Sequence, residues 1–335
     1  MYRKRFERFA IDECEQSSEL YKHLALAVAK DDSLLTLSAE ARKGQPVANL
    51  FFCVCALLDI KGNTPCGLLC ECYRTKAYAH TFTEFKSFCE THESELTTLL
   101  HEKLVQTNEV RRCAYLYPLF SYIYEKVQEP LSCIEIGTSA GLQLFWDQYR
   151  YSYETDLVYG NPFADVHITS SVKGGDINPT YLPSTPPPVA ARIGVDLHIN
   201  DVSKEEDRLW LDALIGEHQE RRELFEQAAR VVQSQKAQLI EADGVSYLSS
   251  LVEKCPSHST VCVFHTHVAN QFNESLKQQL EETVNDLGAT RNLFHVYNNM
   301  RDSKLRIDSY IDGTKETHVI GETDGHGRWF EWLLN

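Results

Sequence analysis

The sequence lacks an apolar run long enough to cross a membrane, because its longest, Leu50–Leu58, has nine residues and a spanning helix needs about 20. Basic residues are too few to balance the acidic ones: 33 Lys and Arg stand against 48 Asp and Glu, a formal net charge of −15. An acidic surface repels phosphate backbones and anionic lipids, so we expect neither bulk nucleic acid nor a membrane as partner. The N-terminal basic residues are followed by Asp12, Glu13 and Glu15 and not by the apolar core of a signal peptide.

Cysteine is abundant, with 11 residues, but C-x-x-C spacing is absent. The odd number and irregular spacing disfavour a disulfide framework, so we expect a reducing, cytoplasmic setting. Cys66, Cys70 and Cys72 fall one residue short of the C-x-x-x-C-x-x-C pattern that holds an iron–sulfur cluster. Free cysteine behaves as a small, buried hydrophobe, so we expect no metal there.

Apolar spacing predicts a chain in two parts. Up to residue 130 it is typical of helices, near residues 17–30, 47–60, 82–105 and 108–128. From Leu131 onward short β-rich runs alternate with helical periods, and such alternation indicates βαβ crossovers. The predicted strands are 131–136, 191–197, 237–241, 260–265, 292–298, 304–311 and 316–321.

We therefore expect an α/β fold, with a seven-stranded, mostly parallel Rossmann-like sheet over residues 131–335 behind an all-helical region over residues 1–130 that covers the cleft. A stretch rich in Tyr, Gly and Pro, residues 151–190, is predicted to be an inserted hairpin that serves as a lid. Ser203 and Glu206 have capping-box spacing, which predicts a long helix from there to about residue 235.

One motif indicates a cofactor-binding or catalytic site. The strand Cys133–Ile136 enters a turn of small residues, Gly137–Gly141, before a predicted helix. Glycine lets the backbone approach a ligand closely, and the first amides of a helix face that ligand. E-x-G-x-x-x-G is typical of the S-adenosylmethionine pocket of Rossmann-like methyltransferases, whereas G-x-S-x-G, with Ser139 as nucleophile, also fits the elbow of α/β-hydrolases.

Acidic residues after the next two predicted strands favour the nucleoside pocket, because ligands of a parallel sheet lie outside the carboxyl ends of its strands. The hydrolase alternative lacks the upstream oxyanion loop, and the NAD fingerprint G-x-G-x-x-G is absent, since Ser139 stands at its second glycine. We expect the S-adenosylmethionine site to include Glu135, Gly137, Ser139, Gly141, Asp196 and Asp243.

Three further residues are predicted to be catalytic. His265 ends the fourth predicted strand, and Asn108 and Glu109 directly precede the last N-terminal helix, which would carry them toward the same sheet edge. His267 shares a face with His265, but two histidines without a third ligand do not predict a metal site. The lid and the net acidity favour a small-molecule or single protein side-chain acceptor.

Several segments resemble a known family. They are Gln106–Val110 with Arg112, Glu135–Leu142, Arg192–Asp196, Arg208–Leu211 and His265 with Thr266. Together they resemble the uncharacterised bacterial family called domain of unknown function 2332, over nearly the whole chain. The resemblance implies a methyltransferase-like Rossmann domain behind helices and no assigned reaction. We therefore expect methyl transfer from S-adenosylmethionine to an unidentified acceptor, with a non-catalytic nucleoside-binding module, or a Ser139 hydrolase, as alternatives.

Overall fold

The computed structural model of the chain describes residues 1–15, 17–62, 78–216 and 218–334. The cysteines Cys66, Cys70 and Cys72 lie outside these residues. Two compact units are present: Met1–Thr107 with Lys204–Arg222, and Asn108–Ser203 with Glu223–Asn335. Within the described ranges, no helix is both long and apolar enough to cross a membrane.

The α-helices of the described residues follow in chain order. They are α1 Tyr2–Arg8, α2 Glu19–Val28, α3 Asp32–Ser38, α4 Val47–Lys61, α5 Tyr78–Thr91, α6 Glu93–Glu102, α7 Cys113–Val127, α8 Glu205–Ile215, α9 Gln219–Ser234, α10 Gly244–Glu253 and α11 Glu274–Gly288.

The first unit is helical and packs around α4. Its apolar run is buried as a core helix, with Phe51 and Phe52 both within 6.1 Å, ring centre to ring centre, of Phe6 and Phe85. T-shaped ring pairs of this kind stabilise a core beyond their buried area.

Two long helices of the sequence prediction are wrong in length. The helix predicted over 82–105 breaks at His92, and the one predicted over 203–235 breaks at Gly216, whose φ of +73° lies in the left-handed region. The predicted cap is also wrong: the Ser203 hydroxyl donates to Asp201 Oδ1 at 2.6 Å, and α8 begins after Lys204 without a side-chain cap.

The second unit is built on a seven-stranded sheet, as predicted, with strand boundaries within two residues of those expected. The strands are β1 Leu131–Ile136, β6 Val189–Asp196, β7 Gln238–Glu241, β8 Thr260–His265, β9 Leu293–Tyr297, β10 Lys304–Ile311 and β11 Thr314–Glu322. Their order is β11-β10-β9-β8-β1-β6-β7, with β10 antiparallel to both neighbours and the other pairings parallel. The chain reverses its winding direction between β1 and β8, which is the topological switch point of a doubly wound sheet.

Both faces of the sheet are covered, which explains why β1 and β8 are buried along their whole length. On one face, Ile134, Val263 and neighbouring side chains pack with the apolar residues of α10 and α11. On the other face, Phe120 of α7 meets Phe264 with ring centres 5.4 Å apart. Residues 108–128, expected in the N-terminal helical part, thus belong to the unit that contains the sheet.

The segment after β1 contains 3₁₀ helix, Leu142–Gln148, where the sequence predicts an α-helix. Tertiary bonds give the reason: Arg192 donates to the Leu144 carbonyl at 2.6 Å, and the Tyr149 hydroxyl donates to the Leu142 carbonyl at 2.7 Å. These carbonyls accept from side chains in place of the amides of an α-helical ladder.

The predicted insertion at residues 151–190 contains short strands and no α-helix in the described structure. The strands are β2 Arg150–Ser152, β3 Tyr159–Gly160, β4 His167–Thr169 and β5 Ser171–Lys173; β2 pairs with β3 and β4, and β5 pairs with β12 Trp329–Glu331. Tyr151 stacks on Tyr117 of α7 with ring centres 4.4 Å apart, and the Tyr153 hydroxyl donates to the Ala114 carbonyl at 2.8 Å. The insertion is therefore anchored to α7 by aromatic side chains.

Candidate functional site

The turn after β1 is held by hydrogen bonds to its own protein. The amides of Gly137 and Thr138 both donate to the Val195 carbonyl, at 2.8 and 3.3 Å. The Ser139 amide donates to Asp196 Oδ2 at 2.8 Å, and the Gly141 amide to the Thr138 carbonyl at 2.8 Å. The expectation that the turn presents its amides to a ligand is therefore wrong for these four, because protein oxygens already accept from them.

Ser139 lies inside this turn. Its side chain is buried, its φ is +51°, and its Oγ accepts from Asn200 Nδ2 at 3.0 Å. The backbone amide of Asn200 also donates to the backbone carbonyl of Ser139, at 3.2 Å. A nucleophile elbow exposes its serine hydroxyl above the sheet, so a buried and bonded Ser139 fits a structural role in the turn better.

Three carboxylates, which we call the acidic edge, lie at the carboxyl ends of β6 and β7: Asp196, Glu241 and Asp243. Glu241 Oε1 accepts from the Ile199 amide at 3.0 Å. Asp243 caps α10, since its Oδ1 accepts from the amides of Val245 and Ser246 at 2.9 and 3.1 Å. Asp196 is the residue of the acidic edge that is bonded to the turn after β1, through the Ser139 amide.

Glu135 is the penultimate residue of β1, directly before this turn, and is 2% exposed. Its Oε2 accepts from Thr138 Oγ1 at 2.6 Å. Burial, as the largest cause, and the charge of Asp196 together raise the pKa of Glu135 to about 8, while the Thr138 hydrogen bond and the Arg112 charge oppose the rise. Near neutral pH this side chain is therefore mostly protonated and can donate a hydrogen bond.

Asn108 and Glu109 reach the same end of the sheet. Asn108 Nδ2 donates to the Thr138 carbonyl at 2.8 Å, and its Oδ1 is buried without a hydrogen-bond partner among the described residues. Glu109 Oε2 lies 3.2 Å from His326 Nδ1, with the Glu109 side chain 4% and the His326 side chain 41% exposed. We call this the Glu109–His326 pair; its imidazole is held at Nδ1 by a buried carboxylate.

Arg112 is the remaining charged side chain beside Thr266 at this end of the sheet. Its Nε donates to the Gly325 carbonyl at 2.9 Å, and its Nη1 donates to the carbonyl and the hydroxyl of Thr266, at 3.2 and 3.3 Å. The Thr266 hydroxyl in turn donates to Gln143 Oε1 at 3.1 Å. Sequence reasoning missed Arg112, Gln143 and His326 as site residues; only Arg112 had a signal, as part of the family resemblance.

His265 is not brought together with Asn108 and Glu109. It is fully buried on the α10 and α11 face, with its ring centre 5.1 Å from that of His295 and 5.8 Å from that of Tyr297. Burial lowers its pKa to about 4, and neither ring nitrogen has a hydrogen-bond partner in the described part of the chain. His265 is thus a neutral core histidine at neutral pH.

His267 takes a left-handed conformation, with φ +56°, and its amide donates to Asn298 Oδ1 at 2.8 Å. Burial lowers the pKa of His267 to about 3, with the charge of Arg112 as the next contribution. Among residues 1–15, 17–62, 78–216 and 218–334, no three or more His, Cys, Asp or Glu side chains are grouped so that they could hold a metal ion.

Comparison with known proteins identifies the family. Residues 3–332 match the family described as "Uncharacterized protein conserved in bacteria (DUF2332)", and since the match covers almost the whole chain, the chain belongs to this family. The family predicted from the sequence is therefore confirmed. Neither a curated protein nor a solved structure matches the chain.

Proposed function

We propose that this member of the DUF2332 family binds S-adenosylmethionine across the carboxyl ends of β1 and β6 and transfers its methyl group to an acceptor beside the Glu109–His326 pair. The proposal rests on the turn after β1. Four of its backbone amides donate to protein oxygens, and the carboxylate of Asp196 lies beside the turn at the same edge of the sheet.

This arrangement favours a nucleoside without phosphate. A phosphate site needs free backbone amides at the start of an α-helix, where the helix dipole favours an anion. Here the amides of Gly137, Thr138, Ser139 and Gly141 are engaged, and a 3₁₀ segment follows. A carboxylate at Asp196 repels phosphate and suits hydroxyl donors and a sulfonium cation. S-Adenosylmethionine has these groups and no phosphate.

The sheet order supports the position. Ligands of doubly wound sheets lie outside the carboxyl ends of the strands at the switch point, which here falls between β1 and β8. Asp196 ends β6, the next parallel strand beyond β1, so a ribose beside it would lie over the Gly137 turn. The proposed contact is between Asp196 and the ribose hydroxyls.

The Glu109–His326 pair supports the catalytic part of the proposal. A carboxylate bonded to one imidazole nitrogen orients the ring and leaves the other nitrogen to accept a proton. Methylation of an N–H or O–H group forms the new bond to carbon from the acceptor's lone pair and releases its proton. In the proposal His326 Nε2 accepts that proton, and S-adenosylhomocysteine leaves with the electron pair of the broken C–S bond.

Calorimetry tests the binding part. We expect S-adenosylmethionine and S-adenosylhomocysteine to bind, and ADP and NAD to bind at least tenfold more weakly. Asp196→Ala should weaken binding of S-adenosylhomocysteine by about 1–3 kcal/mol, the range for a lost hydrogen bond to a polar ligand group. Asp156→Ala, at an exposed position, is the control. Preferential binding of ADP or NAD would contradict the proposal.

Transfer of tritium from methyl-labelled S-adenosylmethionine to a panel of small amines, phenols, carboxylic acids and thiols tests the catalytic part. We expect His326→Gln to lower the transfer rate by about 10²–10⁴-fold, as for loss of a general base, with the affinity for S-adenosylhomocysteine unchanged. His318→Gln, with a 38% exposed side chain on β11, is the control. Cofactor binding without transfer to any of these acceptors would favour the non-catalytic alternative.

A further inference from the structure

Arg112 carries a buried positive charge that forms no ion pair with a carboxylate of the described residues. The residue is 7% exposed, and its three hydrogen bonds go to uncharged oxygens, two on Thr266 and one on Gly325. Among the described residues, no Asp or Glu oxygen lies within 4.0 Å of its guanidinium. An unpaired charge is costly to remove from water, so a buried arginine is normally matched by an anion.

Two partly buried arginines of this unit show the contrast. Arg192, with a 14% exposed side chain, binds both oxygens of Asp147, at 2.6 and 2.7 Å. Arg291 has no carboxylate, but both of its terminal nitrogens donate to backbone carbonyls. Arg112 differs from both, because its Nη2 makes no hydrogen bond within the described structure. Two N–H donors of a buried cation are therefore left for a ligand.

Glu135 does not supply the missing negative charge. The charge of Arg112 acts on Glu135, but burial raises the pKa of Glu135 to about 8, so its carboxyl group is mostly neutral near pH 7. The Glu135 oxygens also lie beyond ion-pair distance of Arg112.

The place of Arg112 along the sheet edge indicates which ligand group it meets. Thr266, which accepts from its guanidinium, directly follows β8, and β8 lies on the side of β1 opposite to β6. Neighbouring strands are about 4.8 Å apart, so β8 and β6 are separated by about 10 Å. A nucleoside with its ribose at Asp196 would extend its 5′ substituent over the Gly137 turn toward Arg112.

We propose that Arg112 binds the α-carboxylate of the methionine arm of S-adenosylmethionine through Nη2. Nη2 keeps two N–H donors, and a hydrogen bond from a guanidinium to a carboxylate is charge-assisted and stronger than a neutral one. The assignment rests on the proposed function. It adds an anion-binding residue at the β8 end of a site whose β6 end is acidic, so the zwitterionic cofactor is oriented by charge.

The test compares S-adenosylmethionine with decarboxylated S-adenosylmethionine, which lacks only the carboxylate, by calorimetry on the full-length chain. Wild type should bind S-adenosylmethionine about tenfold to a hundredfold more tightly, the range for a charge-assisted hydrogen bond. The ratio of the two dissociation constants should fall close to one in Arg112→Gln. Arg112→Lys should keep part of the preference for S-adenosylmethionine because the charge remains. Arg301→Gln, at a surface arginine with a 48% exposed side chain, should leave it unchanged.

The outcomes separate the two claims. A ratio in Arg112→Gln equal to that of wild type would overturn the assignment and leave the proposed function standing. A lack of binding of both compounds by wild type would overturn the proposed function and the assignment with it. If Arg112→Gln does not fold, Arg112→Lys decides: a ratio of the two dissociation constants below that of wild type supports the assignment, and a ratio equal to or larger than that of wild type overturns it.

Discussion

Substitution of Gly137 should destabilise the protein for two separable reasons. The backbone there has φ +76°, a left-handed conformation that costs a residue with a Cβ about 1–2 kcal/mol. A Cβ would also lie 2.4 and 2.9 Å from the two methyl carbons of Val268, and such overpacking typically costs about 1–3 kcal/mol. Gly137→Ala should therefore lower the free energy of unfolding by about 2–5 kcal/mol, measured by urea unfolding.

Two other variants divide this loss. Gly313 has nearly the same φ, +75°, but nothing lies within 4 Å of a Cβ built on it, so Gly313→Ala should show the backbone cost alone. Val268→Ala removes both methyl groups, so Gly137→Ala should cost less by about 1–3 kcal/mol in that background. The reasoning would be refuted if Gly137→Ala and Gly313→Ala were equally destabilising, or if Val268→Ala gave no relief.

Two further predictions concern the carboxyl groups around this turn. Because the pKa of Glu135 is raised from 4.5 to about 8 in the folded state, the contribution of Glu135 to the free energy of unfolding should be highest below about pH 4.5 and should fall as the pH rises toward 8. Glu135→Gln should remove that part of the pH dependence in thermal unfolding at pH 5 and pH 8; an unaltered dependence would show that Glu135 is ionised throughout. Asp243→Ala should lose the N-cap of α10 and about 0.5–2 kcal/mol in urea unfolding, with Asp243→Asn retaining most of the stability, whereas equal losses would assign Asp243 another role.

The sheet could be predicted from the sequence because its signals are local. Thr260–His265, for example, is a short apolar run between turn residues, and it is buried on both faces. The long apolar run of α4 likewise predicted a buried segment, and Leu50, Phe51 and Phe52 are buried. The helix breaks at His92 and Gly216 were missed, although the residues from Gly216 to Glu223 include no apolar side chain that would continue the helical period.

The segment after Gly141 could not be predicted, because its conformation depends on distant residues. Arg192, which bonds Leu144 and Asp147, is more than 40 positions away, and no local pattern shows that contact. A strand followed by small residues predicts an α-helix, and tertiary bonds override that preference.

The site was predicted in part for the same reason. Glu135, Gly137 and Asp196 lie at or directly after the carboxyl ends of strands, and strand ends are visible in the sequence. The partner of Glu109 is His326, 217 positions away in a loop without periodicity, so only the folded chain shows the pair. His265 ends a strand as well, but which face it occupies depends on register, and its ring lies against Tyr297, which belongs to the core shared with α10 and α11.

The central claim is that a nucleoside without phosphate binds over the turn after β1, between Asp196 and Arg112. A crystal structure of the protein grown with S-adenosylhomocysteine tests it most directly. The claim predicts the ribose hydroxyls within about 3.2 Å of Asp196 and the carboxylate within the same distance of Arg112. A nucleoside bound elsewhere, or bound here with its ribose away from Asp196, would contradict it.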